Sequence, residues 1–80
     1  MSNNEKYKKS FVDSLGVEEK LINEELKYNE IPEWDSIGHM TLIASLEETF
    51  NITLETDDII DFSSFKKGIE ILKKYSINFN

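Results

Sequence analysis

No cysteine occurs among the 80 residues, so the chain offers no disulfide framework, no thiolate metal site and no cysteine nucleophile. Arginine is absent as well: all nine basic residues are lysine, against 16 acids, for a formal net charge of −7. A surface of that sign repels nucleic acid and anionic membranes and favours basic protein partners, although net acidity also serves solubility alone. Proline is single and glycine occurs three times. With so few breakers and polar–apolar spacing of helical period over most of the chain, the expected class is an all-α bundle with one long loop. No apolar run approaches membrane-spanning length, and Met1 to Lys6 contains no signal-peptide core, so a cytoplasmic protein without membrane insertion is expected. The length predicts one domain over residues 1–80, with ends that fray near 1–4 and 76–80. A chain this size buries only about 60% of its extended surface, so its core must be small.

The first helix is predicted from Asn4 or Glu5 to Leu15, with Tyr7, Phe11 and Leu15 on one stripe that Val12 broadens. Gly16 follows where a left-handed residue ends a helix. From Val17 to Asp35 the apolar residues Val17, Leu21, Ile22, Leu26 and Ile31 keep no period, and Pro32 disfavours helix at Ile31. Glu18 to Ile22 has room for one helical turn; the rest reads as an anchored connection whose apolar residues dip into the core. A second helix starts at Asp35 or Ser36 and ends near Phe50-Asn51. A short third one runs from Asp57 to Phe62 with Thr56 as its cap. The last follows Ser63 or Ser64 and reaches about Tyr75, with Phe65, Ile69 and Leu72 on one face and Lys73 and Lys74 suited to its end. Gly68 lies on that buried side, either to let helices approach or to leave room inside the bundle.

Projected at about 100° per residue, the second helix shows two apolar stripes. Leu42, Ile43, Leu46 and Phe50 form an ordinary core stripe, with His39 among them. Ile37, Met40 and Ala44 form another, starting beside Ser36 and flanked by Glu47 and Glu48. Two readings are open. A central helix packs on two sides with Met40 filling a core gap, or the second stripe is an exposed binding strip. The adjacent carboxylates favour the strip, because they would repel each other without stabilising any cap.

Asp35-Ser36-Ile37 opens this helix after the turn at Pro32. A helix N-terminus leaves N–H groups unpaired and carries partial positive charge, so it tolerates a phosphate, and a serine hydroxyl there is placed to bear a phosphodiester. Asp and Ser are also ordinary helix caps. His39 is the single histidine, three residues on, but no nucleophile elbow surrounds Ser36 and no oxyanion site is in evidence; packing or a surface position is the reading for His39, and no catalytic residue is assigned. Asp57, Asp58 and Asp61 lack the glycine and ligand alternation of a calcium loop, and no metal site is expected.

Asp35-Ser36-Ile37, followed by Leu42, Ile43, Leu46-Glu47-Glu48 and Phe50, then Ile52 and Leu54, the 57–62 segment, and Phe65, Ile69 and Leu72, resembles an acyl carrier protein from about Phe11 to Tyr75. The resemblance implies a four-helix bundle of three longer helices, a short third helix and a long first loop. It implies that Ser36 receives 4′-phosphopantetheine from coenzyme A through a phosphopantetheinyl transferase. The thiol of that arm then holds an acyl or aminoacyl group as a thioester, which accounts for a carrier without cysteine. Asp35, Ile37, Met40, Glu47 and Glu48 would form the surface read by basic-surfaced loading and transferring enzymes. Ile43, Leu46, Leu54, Ile59, Phe62 and Ile69 would shelter an apolar cargo, and the protein would act as a monomer and not as an enzyme. Carriers of fatty-acid synthesis usually have acids where this chain has Gly38 and Thr41. Trp34 and His39 are atypical of them, and Trp-Asp-Ser-Ile-Gly-His is closer to discrete carriers of specialised pathways. The alternative is a cofactor-free acidic helical module for protein–protein interaction, with Ser36 serving only as a cap.

Overall fold

Ser2 starts the first helix. Its hydroxyl accepts the Glu5 N–H at 3.1 Å while the Glu5 carboxylate accepts the Ser2 N–H at 3.0 Å, a reciprocal cap that holds the Glu5 carboxyl below its usual range. The computed structural model describes residues 1–79. Within them α1 runs Asn3–Leu15, α2 Ser36–Phe50, α3 Thr56–Asp61 and α4 Phe65–Lys73, with one 3-10 turn at Glu19–Leu21 in the long connection. The fold is the all-α, acyl-carrier-like bundle that the sequence predicts. Gly16 ends α1 at φ 66°, and Asn51 ends α2 at φ 54°, both left-handed as expected of helix stops. The cap of α3 differs from expectation: Glu55 holds that position without a side-chain bond, and Thr56 is already helical.

The core is largely aromatic. Tyr7, Phe11, Trp34 and Phe62 are fully buried, and Phe11 meets Trp34 edge-on at 5.2 Å and Tyr7 edge-on at 5.1 Å. Tyr7 donates its hydroxyl to the Phe65 carbonyl at 2.6 Å, and burial pushes its ionisation well up. Gly68 faces this cluster. A Cβ built there would lie 2.2 Å from both the Phe62 ring and the Tyr7 hydroxyl, so the glycine serves close approach and not an empty space.

The connection from 17 to 35 is anchored as its apolar residues suggest: Ile22, Leu26 and Trp34 are buried, whereas Leu21 is exposed. An isolated antiparallel bridge between Lys27 and Ser64 pins it to the junction of α3 and α4, with Tyr28 N–H donating to the Ser63 carbonyl and Phe65 N–H to the Leu26 carbonyl, both at 2.9 Å. Asp58 on α3 accepts from Lys74 and from the Tyr75 hydroxyl, which fastens α3 to the end of α4. Near the chain ends, Ser2 caps α1, and Ile77 and Phe79 pack against the core, Phe79 meeting Tyr7 edge-on at 5.4 Å. Asn80 lies outside the described residues.

Candidate functional site

Two residues share the start of α2 and divide its work. Asp35 is the N-cap, and its Oδ1 accepts the Gly38 N–H at 2.8 Å. Ser36 is the first helical residue and is exposed, so its hydroxyl has no capping duty. The hydroxyl lies 3.3 Å from that of Tyr28, which belongs to the long connection. The first N–H groups of a helix have no intrahelical acceptor, and Asp35 takes only that of Gly38. The Ser36 end of α2 thus keeps the partial positive character that favours an attached phosphate.

The expected second stripe of α2 is on the surface: Ile37 is 79% and Met40 57% exposed, and Ala44 is exposed beside them. Met40 therefore fills no core gap. Ile60 on α3, 72% exposed, extends this apolar surface across the groove from Met40. Glu48 is exposed, but Glu47 is half-buried and its Oε2 accepts the Leu54 N–H at 2.8 Å. The Glu47 carboxylate caps no helix; it holds the chain reversal after α2 instead. Gly38 also has a local reason. A Cβ there would sit 2.1 Å from the Glu33 carbonyl oxygen and 3.1 Å from Leu15 Cδ2, so the connection excludes any acid from that position.

Beside Ser36 opens a groove of about 370 Å³, lined by Tyr28, Ser36, His39, Met40, Ile59, Ile60, Phe62 and Ser63. Of the six residues expected to shelter a cargo, it includes Ile59 and Phe62. Ile43, Leu46 and Leu54 are instead buried in the packed core, and Ile69 is half-buried against it; none of these four lines the groove. Tyr28, Ile60 and Ser63 were not singled out by sequence reasoning. Tyr28 stands in an aperiodic stretch, and its N–H bond to the Ser63 carbonyl, beside the Lys27–Ser64 bridge, helps hold it near the start of α2.

Of the two positions open for His39, packing or surface, it takes a half-buried one that packs: Trp34 Nε1–H donates to its Nδ1 at 3.0 Å, so the ring carries its proton on Nε2 and donates it to the Ile59 carbonyl at 2.9 Å. No group of histidine, cysteine, aspartate and glutamate able to hold a metal occurs among the described residues, and no described helix is long and apolar enough to cross a membrane.

No protein-family model matches the chain. Over 71 residues, 88% of this chain and 90% of its relative, it is 35% identical to a protein of Buchnera aphidicola subsp. Baizongia pistaciae named acyl carrier protein.

Proposed function

The chain belongs to the acyl carrier protein family, and from that premise we propose that it carries an acyl or aminoacyl group on 4′-phosphopantetheine joined to Ser36 and presents it to partner enzymes. Family membership makes it a carrier in the general sense. The observation supporting the finer reading is that Ser36 Oγ is exposed at the first residue of α2, relieved of capping by Asp35, and set on the rim of an apolar groove. In the transfer from coenzyme A, Ser36 Oγ forms the new bond to the phosphorus bearing the pantetheine arm. The bond from that phosphorus to the adenosine 3′,5′-bisphosphate portion breaks, and the serine proton passes to a base on the transferase. Backbone N–H groups at the helix start favour the negative charge gained at Ser36. When attached, the arm supplies the thiol that holds the acyl group as a thioester.

Asp35, Ile37, Met40 and Glu48, with the neighbouring Ile60, make the surface that a basic-rimmed partner with an apolar centre would read. Glu47 contributes less, because its carboxylate is engaged with Leu54. Loading from coenzyme A fits a cytoplasmic carrier. The test is intact mass after incubation with coenzyme A and a broad-specificity phosphopantetheinyl transferase. One pantetheine adduct that Ser36→Ala abolishes supports the carrier; no adduct, where a control carrier is labelled, supports a cofactor-free interaction module.

A further inference from the structure

Three tyrosines occur in the chain, and the hydroxyls of two are spent inside the bundle. Tyr7 donates to the Phe65 carbonyl, and Tyr75 donates to Asp58 while accepting the Glu55 N–H. Tyr28 differs. Its hydroxyl stands 3.3 Å from Ser36 Oγ, and either oxygen can be the donor. Several contacts hold the ring in that place. The Tyr28 N–H donates to the Ser63 carbonyl at 2.9 Å, and the next residue, left-handed Asn29, donates its N–H to the Trp34 carbonyl at 3.0 Å. The ring lies edge-on to His39 and to Trp34, with centroids 5.4 and 6.0 Å away. Trp34 is fully buried and His39 half-buried, so the Tyr28 ring rests on fixed groups while its hydroxyl meets Ser36 at the surface.

We propose that the Tyr28 hydroxyl holds the phosphate of the arm once the arm is joined to Ser36, and so anchors the root of the arm to the long connection. The proposal rests on attachment at Ser36. Attachment replaces the serine proton by phosphorus, so Ser36 Oγ can no longer donate. The contact with Tyr28 then has one direction: the phenol O–H donates, either to Ser36 Oγ or to an unesterified oxygen on the same phosphorus. The unesterified oxygens share a full negative charge, and a hydrogen bond to an ionised acceptor is roughly twice as strong as one between neutral groups. Other side chains beside Ser36 do not offer such a bond. Asp35 can only accept and is engaged with the Gly38 N–H, Ile37 is apolar, and both His39 nitrogens are taken by Trp34 and Ile59. Packing against Trp34 and His39 accounts for an aromatic ring at position 28 but not for its hydroxyl. A phosphate contact accounts for both.

The test loads the whole chain with the bare arm from coenzyme A, in the unaltered protein and in Tyr28→Phe, which keeps the ring and removes the hydroxyl. Mass spectrometry first establishes loading of the unaltered protein; absence of any adduct there overturns the Ser36 reading and this proposal with it. Once the adduct is present, two NMR signals decide on Tyr28 alone. The ring carbon bearing the Tyr28 hydroxyl is expected to shift on loading, while those of Tyr7 and Tyr75, whose hydroxyls are bound inside the bundle, stay in place. The phosphorus signal is expected to move in Tyr28→Phe towards its position in the loaded protein unfolded in urea. Ser63→Ala, which removes another hydroxyl from the groove lining, should leave that signal where it is. A phosphorus signal unchanged in Tyr28→Phe, or moved as far in Ser63→Ala, would overturn the proposal and leave attachment at Ser36 standing. So would a Tyr28 ring carbon that loading leaves unmoved, a result that needs no variant to fold or load.

Discussion

The Asp35 carboxylate accepts the Gly38 amide at 2.8 Å, and the adjacent Ser36 hydroxyl is thereby released from the helix end. Replacing an N-cap residue by alanine typically costs about 0.5–2 kcal/mol. Asp35→Ala is therefore expected to lose about 1 kcal/mol in urea unfolding, a typical cap loss. Ser36→Ala should stay within about 0.5 kcal/mol of the unaltered protein, as for a surface change. Equal losses would mean that the two residues share the cap.

Glu47 and Glu48 are neighbours with different duties. Glu47→Ala leaves the half-buried Leu54 N–H without its acceptor and should cost about 1–3 kcal/mol. Glu48→Lys, at an exposed position, should change stability by less than about 0.5 kcal/mol. Glu48→Lys should instead slow transferase-catalysed loading, and the unaltered protein's rate should fall as salt rises. Loading indifferent to both salt and Glu48 would make this carboxylate a solvated surface group.

Alanine in place of glycine within a helix ordinarily gains up to about 1 kcal/mol. At Gly68 the added methyl would press on Phe62 and the Tyr7 hydroxyl, an overpacking that typically costs about 1–3 kcal/mol. Gly68→Ala is thus expected to lower the urea midpoint, and Gly38→Ala likewise, since there the obstacle is the Glu33 carbonyl of the backbone. A raised midpoint in either would show that the neighbours give way freely.

Asp58 brings pH into the stability of α3. Hydrogen bonds from Lys74 and then Tyr75 hold its carboxyl below the ordinary range. A carboxyl depressed on folding contributes stability above its unfolded pKa, and that contribution is lost as pH falls through the folded value. Asp58→Asn should therefore lower the urea midpoint at pH 7, and its gap from the unaltered protein should narrow as pH falls below about 4. The same interaction raises Lys74, so its contribution is lost only as pH rises through the raised value, far above neutrality. A gap that stays constant from neutral to strongly acidic pH would remove Asp58 from this role.

Local signals carried most of the fold. Tyr7, Phe11 and Leu15 with Gly16, and the Leu42, Leu46 and Phe50 stripe behind Asp35, are periodic patterns closed by recognisable stops, and both helices lie within a residue or so of their expected bounds. The long connection gave less away. Ile22, Leu26 and Trp34 enter the core singly, and the bridge from Lys27 to Ser64 joins segments far apart in sequence. For that reason Tyr28 and Ser63 were not recognisable as walls of the groove, although Ser36 was marked as the attachment residue and Ile59 and Phe62 among those expected to shelter a cargo. The Glu47 bond was not legible either: it reaches Leu54, seven residues on, only after the chain reverses at the left-handed Asn51. Phe79 likewise finds Tyr7 and Phe50 only once the bundle is assembled.

The central claim is that Ser36 alone receives the arm. The chain has eight serines, so the decisive measurement is peptide fragmentation by mass spectrometry of the protein after transferase labelling. The account predicts one pantetheine adduct, on the peptide containing Trp34-Asp35-Ser36-Ile37 and localised to Ser36, with the other seven serines unmodified. An adduct on any other serine, or an unmodified Ser36 under conditions that label a control carrier, would contradict it.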